Sequence, residues 1–375
     1  MSSSNLASPR SGIPISGISD ALNQEWSELS SDVEQRTGDP PLRANTSTLV
    51  VVARAGSDAK DALETVHQLA PAVPSRVLLF ILDPDCIIPE ATIWAHCTVT
   101  PRGRHGACYD VIEITIAPDR IFAVPNIVAV HRLGELPTFV VWWGQAEISS
   151  PGFASIAGVA DRFIVDSESY DRPLMTMHDY ARFLGTAGTS VFGSDLAWAR
   201  ISTWRELIAQ SFDPPSARRY AMNIRSVDIT YDESQASGAM LLASWLTSRL
   251  GLEPANVNDN GSMMELRAAT HDSDRRVTLN LNHSHRSGTG IRSVRILARA
   301  GSSVARISIF KRDTGTSTAR IESPGMPRQE RVVHHADAPR QELIAAELMR
   351  YTRDKIFEEA LSHAAEFYRL LESNA

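Results

Sequence analysis

A chain of 375 residues is long enough for two ordinary domains, because one hydrophobic core rarely grows past about 250–300 residues. It is 43% hydrophobic, 22% charged and 7% aromatic, the balance of a globular protein, and its formal net charge of −7 argues against a broad nucleic-acid or anionic-membrane surface. No apolar run reaches the roughly 20 residues that span a bilayer, and the Ser- and Pro-rich first 17 residues lack the basic-then-apolar order of a secretion signal. Three cysteines do not make a disulfide scaffold, so the expected setting is the cytoplasm.

Residues 1–46 read as a peripheral tail. Within it Leu22, Trp26, Leu29 and Val33 share one helical face, and Gln35 to Asn45, with Gly38 and two prolines, reads as a linker. An α/β domain is expected over 47–215. Thr48–Ala53 and Arg76–Leu82 are continuous apolar runs, as in strands buried on both faces, with a helix from Asp58 to Leu69 between them. Ile93–Thr100 and Ala107–Ile116 read as a hairpin whose loop is residues 101–106. Phe139–Trp143 and Arg162–Asp166 give two more strands, each followed by helix-compatible sequence. Such alternation predicts a mostly parallel sheet covered by helices.

After the break at Asp213-Pro214-Pro215, residues 216–375 read as an α+β domain ending in helix. A helix from Gly238 to Leu250 precedes alternating strands at Ser262–Ala268, Arg276–Asn282, Ser293–Ala298, Ala305–Lys311 and Ala319–Glu322. Their regularity predicts an antiparallel meander. Pro339 to Ala375 has a broad apolar face and reads as one long terminal helix or a helix pair.

The search for chemistry yields little. The loop Ala53 to Ala59 opens a helix and could hold an anion, but it has one glycine rather than G-x-G-x-x-G, and a Ser57 or Asp58 N-cap explains it as well. His283 and His285, and the adjacent His334 and His335, lack any H-E-x-x-H or C-x-x-C company. Asp83-Pro84-Asp85 reads as a turn. Catalytic residues, cofactors and metals are therefore expected to be none. Cys97 and Cys108 lie on opposite hairpin arms, directly across from each other if the register centres between Arg102 and Gly103. They could form a redox-sensitive disulfide, or could simply be small buried thiols, with Cys86 as a competing partner. The densest stretch runs from Phe192 to Pro215. Ser202 or Thr203 can cap a helix there, Thr203 with Glu206 fits a capping box, and Asp195, Arg200 and Arg205 could form an ion-pair network or a partner-binding edge. Core packing or an interface would each explain Trp198 and Trp204, since Trp and Arg dominate interface hot spots.

The segment DLAWARISTWRELIA, Asp195 to Ala209, resembles the diagnostic segment of the OpcA family, the glucose-6-phosphate dehydrogenase assembly proteins, with Thr203 where proline is usual. The segments Arg43–Val51, Ser75–Val77, Leu136–Trp143 and Ala160–Asp166 agree in order. The resemblance implies a cytoplasmic, non-catalytic partner that binds glucose-6-phosphate dehydrogenase, promotes its active oligomer and activates it in the oxidative pentose phosphate pathway. It also implies a link to thioredoxin control, which would give Cys97 and Cys108 a role. Asp195, Trp198, Arg200, Trp204, Arg205, Trp142 and Trp143 are then the candidate partner-binding residues. The competing expectation is a stand-alone α/β enzyme or a sugar-phosphate- or nucleotide-binding protein.

Overall fold

The computed structural model describes residues 9–38, 40–41, 45–99, 105–186, 191–272, 274–285, 290–313, 315–324, 328–335 and 337–374. Parts of the expected tail, the 35–45 linker and the 101–106 hairpin loop lie outside them. The chain runs β1 (Arg10–Pro14), α1 (Ile18–Thr37), β2 (Ser47–Arg54), α2 (Ser57–Leu69), β3 (Ser75–Leu82), β4 (Glu90–Val99), β5 (His105–Ile116), α3 (Val124–His131), β6 (Thr138–Trp142), α4 (Pro151–Ala157), β7 (Arg162–Val165), α5 (Pro173–Thr186) and β8 (Phe192–Asp195). Then follow α6 (Leu196–Arg200), α7 (Ser202–Gln210), α8 (Pro215–Ala221), β9 (Ile224–Tyr231), α9 (Ala236–Arg249), β10 (Glu253–Asp259) and β11 (Met263–Ala269). The chain closes with β12 (Arg276–His283), β13 (Ile291–Ala300), β14 (Ser303–Asp313), β15 (Thr316–Glu322), β16 (Gln329–His334), α10 (Arg340–Leu348) and α11 (Lys355–Asn374).

Two compact units result, and neither is contiguous in sequence. The first holds residues 1–166, 186–194 and 339–353; the second holds 167–185, 195–338 and 354–375. The sequence-drawn boundary at 215 does not coincide with this division. The terminal segment is a helix pair, of which α10 packs on α2 in the first unit and α11 on α9 and β10 in the second.

The first unit is an eight-stranded sheet in the order β1-β4-β5-β3-β2-β6-β7-β8. β2, β3, β5, β6 and β7 pair in parallel, with the β4–β5 hairpin and β1 antiparallel at one side. The apolar runs of β2 and β3 are buried along nearly their whole length, as a doubly covered sheet requires. The expected peripheral tail is instead structural: β1 extends the sheet, and α1 packs on β4 with Ile18, Leu22 and Val33 buried. One glutamate-rich turn of α1 faces Arg10, which pairs with Glu25 at 2.8 Å.

The second unit is also an eight-stranded sheet, in the order β10-β11-β12-β9-β13-β14-β15-β16. The meander expectation needs one correction. β9, absent from the sequence-predicted strands, enters the middle of the sheet and lies parallel to β12 and antiparallel to β13. Two antiparallel meanders, β10–β12 and β13–β16, therefore flank one central strand. α9 packs against this sheet, with ten of its residues buried, and its first turn is held by Glu168, whose carboxylate accepts from the amides of Ser237 (3.2 Å) and Gly238 (2.7 Å). A carboxylate on two free N–H groups at a helix start satisfies them and complements the helix dipole.

Candidate functional site

In the first unit, the strand C-termini open onto a cleft of about 560 Å³, bordered by Arg54, Asp58, Leu82, Trp142 and Gln145. β2 lies between β3 and β6, so the cleft sits where the strand order reverses, the usual ligand position in open α/β sheets. Its chemistry does not suit a dinucleotide. Gly56, at φ 94°, makes the turn into α2, but the Asp58 carboxylate then occupies the first turn and accepts from Arg54 Nε at 3.0 Å. It also crowds Gly144, where a Cβ would stand 2.6 Å from Asp58 Oδ2. The turn into α2 therefore carries an Arg54–Asp58 ion pair and one glycine in place of a glycine-rich phosphate loop.

Trp142 and Trp143 are buried beside this cleft and are accounted for by packing. Trp142 tilts against Phe153 at 5.3 Å, while Trp143 Nε1 donates to Asp61 Oδ2 (3.2 Å) beneath the Arg340 guanidinium, 4.7 Å from its ring. Arg340 pairs with Asp61 at 2.9 Å and lies 3.6 Å from Asp166. The Asp83–Asp85 pair is a turn, with Asp83 Oδ1 accepting from the Asp85 amide.

The hairpin takes the register centred between positions 102 and 103, the one that sets the two cysteines opposite each other. Cys97 and Cys108 are direct partners across β4 and β5, with Cα atoms 4.0 Å apart and a disulfide between them. Trp26, Leu29 and Val33 of α1 pack over the pair, so both sulfurs lie beneath a helix. Cys86 takes no part; it is free, and its thiol points at the Ile88 and Thr115 carbonyls. The opposite face of the same hairpin carries Trp94, His96 and Tyr109, against which α2 sets His67. His67 stacks on Trp94 (6.0 Å) and approaches Tyr109 Oη (3.3 Å), and His96 meets the Tyr109 ring edge-on (5.3 Å).

Burial lowers the pKa of both imidazoles, with His67 adding to the depression at His96, and pushes the Tyr109 hydroxyl up to about 12. A histidine pKa that is lower in the folded state gives stability that is complete above the unfolded value of ~6.5 and is lost as pH falls below it. Glu113, on the same face and raised by burial, works in the opposite sense. The urea midpoint is therefore expected to fall as pH is lowered from about 6.5 toward 5, and His67→Gln/His96→Gln to flatten that slope. An unchanged slope in the double variant would remove these two residues from the acid response.

In the second unit, the Phe192–Pro215 stretch departs from the expected capping. Helix α7 starts after Ile201 with no side-chain cap, so the Thr203/Glu206 box does not form. The capping residue is Asp195, fully buried, whose Oδ1 accepts from the amides of Ala197 (2.9 Å) and Ser167 (3.1 Å). Trp198 and Trp204 are buried rather than presented at the surface. Trp198 Nε1 donates to Asp354 Oδ2 (3.1 Å), and its ring packs on Phe357. Trp204 meets His335, itself paired with Ser317 Oγ at 3.0 Å. Arg205 lies over the Trp198 ring at 3.4 Å and donates to the Trp198 carbonyl. Of the five candidates here, only Arg200 and Arg205 are part-exposed. His283 ends β12 and touches His285 edge-on at 4.8 Å, and no group of three or more metal-ligating side chains occurs among the described residues.

Sequence reasoning missed the buried Arg162 and Glu347 and the part-buried Glu168, whose partners are distant in the chain. A charged residue opening an otherwise apolar strand, as Arg162 does in RFIV, was the one local signal.

These features define a mixed α/β protein of two eight-stranded sheets, with a cysteine pair under its N-terminal helix and an acidic residue at the cofactor position of its parallel sheet. Two family models match it in order. The model for the N-terminal domain of the glucose-6-phosphate dehydrogenase subunit spans residues 66–182, and the model for the C-terminal domain of the same subunit spans 193–361. The chain belongs to the OpcA family. It is 24% identical over 283 residues to a Synechococcus elongatus protein named as a proposed OxPP cycle protein OpcA, covering 73% of this chain and 63% of that one. A Nostoc punctiforme protein of the same name is 22% identical over 341 residues, covering 84% and 72%. The first match thus takes in less than two thirds of the relative. Among solved structures, the super-repressor mutant of Gal80p from Saccharomyces cerevisiae has a TM-score of 0.47 at 9% identity, covering 88% of this chain and 96% of that one. The WlbA dehydrogenase of Bordetella pertussis has a TM-score of 0.44 at 10% identity, covering 89% and 98%.

Proposed function

We propose that this chain is a cytoplasmic, non-catalytic partner of glucose-6-phosphate dehydrogenase that promotes assembly of the active oligomer and raises its activity in the oxidative pentose phosphate pathway. The observation that carries this reading is the ordered match of the chain to models of the two domains of a glucose-6-phosphate dehydrogenase subunit. Activation requires tighter binding to the active state of the dehydrogenase than to the inactive one, and about 1.4 kcal/mol of difference gives a tenfold bias. Arg200 and Arg205 are the candidate contacts. The buried Asp195, Trp198 and Trp204 shape that edge, as Trp142 and Trp143 shape the first unit. The test is an assay of the purified dehydrogenase with and without this chain. A lower apparent KM for glucose 6-phosphate or a larger dehydrogenase oligomer is expected, and no change in either would overturn the proposal.

A redox response through Cys97 and Cys108 is favoured by their direct pairing. A thioredoxin-type dithiol would reduce the disulfide to two thiols and be oxidised to a disulfide itself. Because Trp26, Leu29 and Val33 cover the sulfurs, reduction requires α1 to lift, which couples the redox state to the packing of α1 on β4. The effect on the dehydrogenase is expected to differ between oxidised and reduced wild type and to be fixed in Cys97→Ser. If the variant still responds to reductant, the pair is structural only.

A further inference from the structure

The sheet of the second unit has one covered and one open face. Leu266, Leu279, Val227, Ile296 and Ile307 form a continuous row across it in register and are buried on the side of α9. Residues one step along each strand project from the other face, which is polar and part-exposed to exposed along most of its width. Opposite partners in a ladder share a face, so the register orders its charges. One row places Glu265 on β11, Asp228 on β9, Arg295 on β13 and Arg320 on β15, with the neutral Asn280 and Ser308 between them. The row two residues away places Arg267 on β11, Arg306 on β14 and Glu322 on β15, and the first row ends on Glu330 of β16, paired with Arg320 at 3.2 Å.

The strand order puts the midline of the sheet between β9 and β13, with four strands on each side. A two-fold axis along that midline, parallel to the strands, sets β9 against β13, β12 against β14 and β11 against β15 of a second copy. Asp228 then meets Arg295, Glu265 meets Arg320 and Arg267 meets Glu322, each pair twice, Asn280 meets Ser308, and Arg306 and Glu330 meet the neutral Thr278 and Asn258. No two of these charges meet their own sign. Sheets packed face to face stand about 10 Å apart, within reach of facing Arg and Glu side chains. Eight strands at about 4.8 Å spacing and a useful length of about 20 Å give roughly 700 Å² per partner, close to a standard interface.

We infer that the open face of the C-terminal sheet is an isologous interface with a second copy of this chain. The charge pattern selects that occupant, because a partner of uniform sign would meet repulsion on half of the face. The inference goes beyond the proposed dehydrogenase partnership, and its test uses the isolated full chain with no dehydrogenase present.

The experiment is sedimentation equilibrium on wild type, Glu265→Arg, Arg320→Glu and an equimolar mixture of the two variants. Wild type is expected to be a dimer at micromolar concentration. Each variant alone brings like charges together twice and is expected to raise the dimer Kd at least about tenfold, whereas the mixture restores opposite signs at both positions and returns the dimer. The unfolding midpoint of each variant confirms its fold; if either fails, Arg267→Glu with Glu322→Arg repeats the design. A monomeric wild type, a Kd unmoved by either substitution, or a mixture that does not recover would overturn the proposal. So would a Glu265→Arg chain that keeps its own dimer but loses binding to the dehydrogenase, since that outcome gives the face to the other partner.

Discussion

Arg162→Met is expected to cost about 3–5 kcal/mol of unfolding free energy, because it takes from the buried Glu347 its buried cation and leaves only the part-exposed Arg350, 3.8 Å away. Arg162 is 1% exposed at the start of β7, and its guanidinium is divided between two other segments of the first unit. Nε donates to the Arg350 carbonyl (3.1 Å) and Nη2 to the Thr352 carbonyl (2.5 Å), while Nη1 reaches Ser194 Oγ (2.6 Å) and the Gly193 carbonyl (3.4 Å). Glu347 lies 3.6 Å away, 2% exposed, and accepts from Ser194 Oγ at 2.6 Å. The loss comes less from the ion pair itself than from leaving several buried carbonyls without donors and Glu347 with only Ser194 and the more distant Arg350. Arg162→Lys should recover only part of it, since an ammonium is a compact donor group and cannot span the planar fan of acceptors. The decisive control is Arg162→Met/Glu347→Leu, which removes both charges and should be more stable than Arg162→Met alone. Urea unfolding measures all three. A loss below about 1 kcal/mol in Arg162→Met would show that water or rearrangement replaces the network.

This knot explains why the division of the chain was not legible in the sequence. The continuous apolar runs of β2, β3 and β6 announce buried parallel strands, because a strand covered on both faces has no polar period to hide. In the β4–β5 hairpin the sequence left the register conditional, and the structure takes the one that sets Cys97 across from Cys108. By contrast, residues 339–353 return to the first unit through backbone carbonyls that accept from Arg162, and carbonyls leave no mark in side-chain pattern. β9 alternates as IRSVDITY, but its place in mid-sheet depends on pairing with β12, some 50 residues on. β10, with Pro254 and two asparagines, and β16, at an edge, lack the β-branched density that marks a strand. At the candidate site, the Thr203–Glu206 spacing fits a capping box that does not form, because α7 starts at Ser202 with Ile201 as its N-cap. A local motif cannot show that the preceding helix, α6, is capped and ends only one residue earlier.

Trp198→Ala is expected to lower the stability of the isolated chain by about 3–5 kcal/mol, the cost of a large buried aromatic. Its ring lies between the Arg205 guanidinium and Phe357, and its Nε1 donates to Asp354. Asp354 in turn accepts from the Phe357 amide at 3.0 Å in the first turn of α11, so Trp198 ties α6 to the start of the terminal helix. Trp198→Phe keeps an aromatic ring beside Phe357 but drops the donor, and should cost about 1–3 kcal/mol, because Asp354 keeps its backbone partner. Arg205→Ala removes a part-exposed cation–π contact worth about 0.5–1 kcal/mol and leaves the core filled. The series separates two roles for the segment that carries the family resemblance. If Trp198 were itself a contact for the dehydrogenase, its alanine variant would keep its unfolding midpoint and lose only affinity. Its burial predicts the reverse order: Trp198→Ala unfolds earlier, and Arg205→Ala keeps the fold while weakening the response of the dehydrogenase. Urea unfolding and the dehydrogenase assay, run on the same three variants, decide between them.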